Sequence, residues 1–98
     1  MRFSWDSKKS DANFRERGFD FNFASLIFDG PTLEREDTRM KYGERRIIAI
    51  GLAVGLEFTV CYTDRADITG MFVRRIISAR RSNRSERKAY REAVKNLF

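Results

Sequence analysis

The stretch RIIAIGLAVGLEFTVCYT, residues 46–63, decides how this chain folds. Arg46–Val54 is rich in Ile and Val, whose branched side chains suit a pleated, half-buried surface. Leu56–Thr63 alternates, with Leu56, Phe58, Val60 and Tyr62 on one face and Glu57, Thr59, Cys61 and Thr63 on the other. That period of two marks a strand with one side on a core. Gly55 between the two runs predicts a hairpin turn. A loop over Asp64–Gly70 then leads to a third strand, Met71–Ala79. Strict alternation there sends Arg74 with Ile76 and Ser78 one way and Arg75 with Ile77 the other. An unpaired guanidinium is costly inside a core, so one of these faces opens to solvent or to a site. The three strands in succession predict an antiparallel meander.

Helices flank the meander. Arg2–Trp5 reads as a short strand, and Asp6 as the N-cap of a mainly polar helix that stops at Gly18. Asp20 caps a second, shorter helix carrying Phe23, Leu26, Ile27 and Phe28, which Asp29-Gly30-Pro31 ends. Thr32–Asp37 reads as a strand of polar character, followed by a charged loop to Glu44. Beyond the meander, Asn83 or its neighbour Ser82 caps a last helix, and Glu86 completes a capping-box pattern. At about 100° per residue, Tyr90, Ala93, Val94 and Leu97 share one face. Arg84, Lys88, Arg91 and Lys95 form a stripe on the opposite one. The expected fold class is α+β, with two N-terminal helices, a central antiparallel sheet and a C-terminal helix in one domain over residues 1–98.

The net charge of +6 is unevenly placed. Residues 1–70 hold eleven Lys and Arg against twelve Asp and Glu, a balance of −1. Residues 71–98 hold nine against two, a balance of +7. Such asymmetry points to a phosphate-bearing or acidic partner. The chain has no His, which removes the usual general base and the commonest zinc ligand. Cys61 is alone, so no intrachain disulfide forms, and it has no neighbouring base to make it a nucleophile. The longest apolar run, Ile47 to Leu56, is far short of the roughly 20 residues of a membrane helix. The N-terminus is too polar for a signal peptide, and the cytoplasm is the expected location.

Within the basic third, four like charges along one helical stripe repel each other unless a polyanion neutralises them. The plainer reading is a solvated face. The absence of interleaved acids in the stripe, together with Arg80 and Arg81 just before the helix, favours contact with RNA or another polyanion. Arg65, just past one strand, and Arg80, just past the next, are expected to converge at neighbouring strand ends, where planar forks grip a phosphate bidentately. Two ordinary surface arginines are the alternative. Trp5 and Asp6 fit packing and capping, whereas Lys9 is freer. Tyr90 lies on the apolar face of the last helix, which favours packing over proton transfer.

Read in order, Phe3-Ser4-Trp5-Asp6 with Lys9 and Asn13, Gly18 before an F-x-F segment, and Phe28-Asp29 before Pro31 form one half of a pattern. Glu44-Arg45-Arg46 with Ile48-Ala49-Ile50-Gly51, Tyr62-Thr63-Asp64-Arg65, and Arg75-Ile76-Ile77-Ser78-Ala79-Arg80 followed by Glu86-Arg87 and Tyr90 form the other. Together they resemble the BrnT family of toxins from type II toxin–antitoxin systems, within the RelE-like ribonuclease group. The R-I-I-S-A-R run with E-R-x-x-Y after it is the specific part. The resemblance implies a RelE-like fold, growth arrest by metal-independent RNA cleavage through the substrate's 2′-OH, and no cofactor. It also implies a cognate antitoxin, typically ribbon-helix-helix, through which the complex binds operator DNA and represses its own operon.

Under that resemblance Arg65 and Arg80 hold the phosphate, Lys9 and Arg75 act as auxiliary cations, and Tyr90 or a nearby Glu carries a proton. Arg81, Arg84, Lys88, Arg91 and Lys95 meet RNA or the antitoxin. This chain departs from the resemblance in having Arg17 before Gly18, where many relatives show His, and Ala66 after Arg65, where Gly is frequent. Its loop between Arg65 and Arg75 is also longer. The alternative functions are a non-catalytic nucleic-acid-binding or regulatory subunit and a module that binds an acidic protein.

Overall fold

The 46–63 stretch folds as its pattern requires. Ile47–Ala53 and Leu56–Ala66 are antiparallel neighbours joined by a two-residue turn. Val54 and Gly55 both have positive φ, 49° and 78°. This is the left-handed turn geometry whose twist matches that of the flanking strands. Gly55 adopts it freely; Val54, β-branched, does so at a cost.

The computed structural model describes residues 1–97. In chain order the elements are β1 (Arg2–Trp5), α1 (Ser7–Arg17), α2 (Phe21–Ala24), β2 (Leu33–Glu36), β3 (Ile47–Ala53), β4 (Leu56–Ala66), β5 (Phe72–Arg81) and α3 (Arg84–Lys95). A 3₁₀ turn, Ser25–Asp29, continues α2. The segment expected to be a second N-terminal helix is therefore one α-helical turn running into that 3₁₀ turn. The caps are local chemistry and follow the reading: Asp6 accepts from the amides of Lys8 and Lys9, Gly18 is left-handed, and Asp20 accepts from Phe23. Asn83 and Glu86 complete a reciprocal capping box.

The sheet order is β1-β5-β4-β3-β2. The β3-β4-β5 meander is antiparallel, and β2 extends it antiparallel at one edge. At the other edge β1 lies parallel to β5, so the sheet is mixed where a wholly antiparallel one was expected. The hairpins impose antiparallel pairing, whereas β1 reaches β5 only across the whole chain.

One face of the sheet carries the core. Phe58, Val60 and Tyr62 of β4 meet Ala49 and Ala53 of β3 and Ile76 and Ala79 of β5. Phe21, Ala24 and Ile27 cover them and are almost completely buried. Each buried Phe or Ile stabilises the fold by about 1.5–3 kcal/mol. Gly51 permits the close approach, since a Cβ there would lie 2.8 Å from the Cβ of Ile27. Aromatic edges fill the remainder, Phe19 against Phe58 at 4.8 Å and Phe28 against Tyr62 at 5.2 Å. The opposite face is covered by α3 at one end, where the Tyr90 hydroxyl donates to the Pro31 carbonyl at 2.8 Å.

The expected alternation of β5 breaks at Ile77. Cys61 of β4 pairs with Ser78 but Tyr62 pairs with Ile76, leaving Ile77 as an extra residue in a β-bulge. Before the bulge Arg74 shares the core face with Ile76, its guanidinium 4.0 Å from the Tyr62 ring centroid and paired with Asp64. Beyond the bulge the faces exchange, so Ala79 joins the core while Ser78 and Arg80 oppose Cys61 and Thr59 on the other face. Without the extra residue Arg80 would point into the core.

Candidate active site

The bulge thus delivers Arg80 to the face that α3 leaves partly open, and three other arginines meet it there. Arg17 comes from the last turn of α1, Arg35 from β2 and Arg39 from the loop after β2. With Arg80 they surround a cavity of about 260 Å³ whose floor includes Ile48, Thr59, Cys61 and Ser78.

Each guanidinium is held differently. Arg80 makes a two-pronged pair with Glu86, Nη1 to Oε1 at 2.7 Å and Nη2 to Oε2 at 2.9 Å. Glu86 is itself fixed, because the amide of Asn83 donates to it within the capping box. The Arg80 hydrogen bonds hold the Glu86 carboxyl below the usual carboxylate range against the opposing effect of burial, and raise Arg80 in return. Arg39 forks onto Asp37 with two bonds of 2.8 Å, and Tyr42 donates to the same carboxylate at 3.1 Å. Arg39 is the first cause that keeps Asp37 far below the carboxylate range.

Arg17 donates to Asn13 Oδ1 at 3.0 Å and to the Ala79 carbonyl at 3.2 Å. Asn13 is buried and anchored by its own bond to the Phe19 carbonyl. Among the described residues, neither Arg17 nor Arg35 has a carboxylate partner. Four cations against two carboxylates, Asp37 and Glu86, leave a surplus of two positive charges around the cavity. Burial, with the nearby Asp37 charge, pushes the Cys61 thiol up, so it stays protonated at neutral pH. The arrangement suits an anion with several oxygens: charged forks are in place, and two of them lack an acid.

The other expected site residues are scattered. Arg65 and Arg80 do not converge. Arg65 lies inside β4 opposite Val73, whereas Arg80 lies inside β5 opposite Thr59. Six residues of strand separate these rungs, about 20 Å at ~3.3 Å per residue. In an antiparallel pair the C-terminal ends of the two strands lie at opposite ends of the ladder, which is why these two residues part. Arg65 pairs with Glu44, a carboxylate shared with Arg46.

Lys9 sits in a neighbouring cavity of about 190 Å³ that shares Arg17 and Ser78 with the cleft. Arg75 is on the cleft's face but farther along β5, opposite Thr63. The Asp6 carboxyl is held low first by the Lys9 amide, then with help from the charges of Arg75 and Lys9. Tyr90 is 2 % exposed, burial raises its hydroxyl pKa and so keeps it protonated, and that O–H is donated to the Pro31 carbonyl.

Arg81 points to the core side, over the Phe58 ring and onto the Glu57 carbonyl. In the helical stripe Arg91 is paired with the buried Glu57 at 2.8 Å, while Arg84, Lys88 and Lys95 are exposed and without carboxylate partners among the described residues. Burial pushes the Glu57 carboxyl up, but the Arg91 and backbone bonds outweigh it and the net shift is downward.

Arg17, Arg35 and Arg39 are the members that sequence reading did not single out. Arg17 looks like an ordinary cation complementing a helix C-terminus, and Arg39 is one charge in a charged loop. Only the departure at position 17 was a signal. Among the described residues no helix is long and apolar enough to cross a membrane. A family model described as "Ribonuclease toxin, BrnT, of type II toxin-antitoxin system" matches residues 5–86. That span includes all four cleft arginines and Glu86, and leaves Lys88, Arg91 and Lys95 outside it. No curated protein matches the chain.

Proposed function

The chain belongs to the BrnT family of ribonuclease toxins of type II toxin–antitoxin systems, and from that premise we propose that it cleaves RNA at the four-arginine cleft. The observation that carries this reading is the surplus of two positive charges around one cavity, with Arg17 and Arg35 unpaired by acids among the described residues. The substrate's 2′-oxygen attacks the adjacent phosphorus and the bond from phosphorus to the 5′-oxygen breaks, leaving a 2′,3′-cyclic phosphate and a 5′-hydroxyl. The proton of the 2′-OH passes to solvent, and solvent returns one to the departing 5′-oxygen. Arg17 and Arg35 bind the phosphate oxygens, and Arg80, aimed by Glu86, stabilises the charge that grows on them. Arg39, braced by Asp37, sets the far wall. Lys9 and Arg75 attract flanking phosphates, and Arg65 stays outside the chemistry.

In this reading residues 1–98 act as one RelE-like toxin domain in the cytoplasm, cutting RNA without a metal and so stopping translation and growth. A ribbon-helix-helix antitoxin neutralises it and carries the complex to operator DNA. The exposed stripe of Arg84, Lys88 and Lys95 adds salt-dependent attraction for RNA or for an acidic segment of the antitoxin.

The test is incubation of the purified chain with end-labelled RNA in excess chelator. Fragments ending in a cyclic phosphate are expected, and intact RNA overturns the catalytic claim. A second reading, a non-catalytic RNA-binding or regulatory subunit, has one observation in its favour: the cleft has no His, and both its carboxylates are held by arginine. Tight binding without cleavage selects it.

A further inference from the structure

A second cavity, about 490 Å³, lies between α3 and strands β2 and β3, against the arginine cleft. Leu33, Ile48 and Ile50 form its apolar floor, and Ser85 and Ala89 of α3 form a side wall of small residues. The two cavities are continuous in their lining. Arg35 and Ile48 belong to both, and the Arg80–Glu86 pair stands at the junction with Arg80 on the cleft side and Glu86 on the groove side.

We propose that this groove is a nucleobase subsite, which receives one unstacked base of a single-stranded RNA whose phosphate sits in the arginine cleft. The inference rests on the reading of the cleft as the RNA-cleavage site. A base is flat and largely apolar on its faces, and single-stranded nucleic acid is held by stacking beside a cationic track for the backbone. The groove supplies that pairing of surfaces, with apolar strand residues below, the planar guanidinium of Arg35 at the junction and no bulky side chain on the helical wall. Glu86 adds an acceptor. Its Oε1 takes bonds from Arg80 and from the Asn83 amide, and its Oε2 takes one from Arg80. A carboxylate oxygen has a further lone pair, which suits the exocyclic amino group of adenine or cytosine.

The test compares two ligands by fluorescence anisotropy on the full chain: a short 2′-O-methyl oligoadenylate, which resists cleavage, and an abasic sugar-phosphate oligomer of the same length. Ala89→Trp fills the groove from an exposed helical position. It is expected to weaken oligoadenylate binding about tenfold and to leave the abasic oligomer unchanged. Arg17→Gln is expected to weaken both. No effect of Ala89→Trp on oligoadenylate, or equal weakening of both ligands, overturns the subsite and leaves the groove to a protein partner. No effect of Arg17→Gln on either ligand overturns the cleft reading instead, so the two failures are separate. The unsubstituted chain gives an independent check: the methyl resonances of Leu33, Ile50 and Ala89, which line the groove and not the cleft, should shift with adenosine monophosphate and stay still with ribose 5-phosphate. Stationary methyls with both overturn the proposal.

Discussion

The two ends of the β4–β5 ladder each carry an arginine paired with a glutamate, Arg80 with Glu86 at one end and Arg65 with Glu44 at the other. Their surroundings differ. Around Arg65 each of these arginines has a carboxylate partner, three acids serving four cations: Glu44 also serves Arg46, Asp64 holds Arg74 and Asp67 holds Arg2. Around Arg80 three more guanidiniums close on a concavity, and among the described residues two of the four lack an acid. An arginine becomes an anion site when its neighbourhood is short of carboxylates and concave, which its place in a motif does not reveal.

The largest expected effect separates these ends directly. Arg80→Ala should lower the rate of RNA cleavage by roughly a hundredfold or more, as loss of one charge-stabilising donor does, while Arg65→Ala should change it by less than about threefold on the same scale. Equal losses measured on labelled RNA break the comparison. Arg17→Gln should cost about tenfold, because one unpaired ligand is lost while Arg35 remains. Arg17→His should bring in a dependence on the group's own titration near pH ~6.5. The wild-type rate should show no such limb, and a bell-shaped wild-type profile would falsify solvent-mediated proton transfer.

In acid the two ends should behave alike. Glu86 and Glu44 are both held low in the folded protein, each first by its arginine's hydrogen bonds and against the effect of burial. A depressed carboxyl binds its proton less readily folded than unfolded. Its contribution to stability is present above the ordinary carboxylate range and is lost as pH falls through the folded value. Glu86→Gln and Glu44→Gln should therefore each flatten the fall in melting temperature below about pH 5, whereas only the first disturbs cleavage. Val54→Asn has the smallest expected effect. It relieves the left-handed turn by about 1 kcal/mol and should leave cleavage untouched, although the turn lies at the Arg80 end of the ladder.

The particular residues show why some features were legible. Asp6, Gly18, Asp20 and the Asn83–Glu86 box act on amides within a few residues, so their roles are written in local order. The alternation of β4 is equally local, and it extended to Ala66 once β5 supplied partners as far as Phe72. Arg65 and Arg80 each look like a strand end in the sequence, but the antiparallel register that carries those ends apart involves two strands at once.

Residue order alone specifies the meander, the caps, the amphipathic last helix and a basic C-terminal third, because spacing along one element governs each of them. The parallel place of β1, the bulge at Ile77 and the gathering of Arg17, Arg35, Arg39 and Arg80 come from long-range packing. Those depend on which edges and faces remain unsatisfied after the hairpins close, and on charges from four separate segments whose separation along the chain carries no record of their meeting.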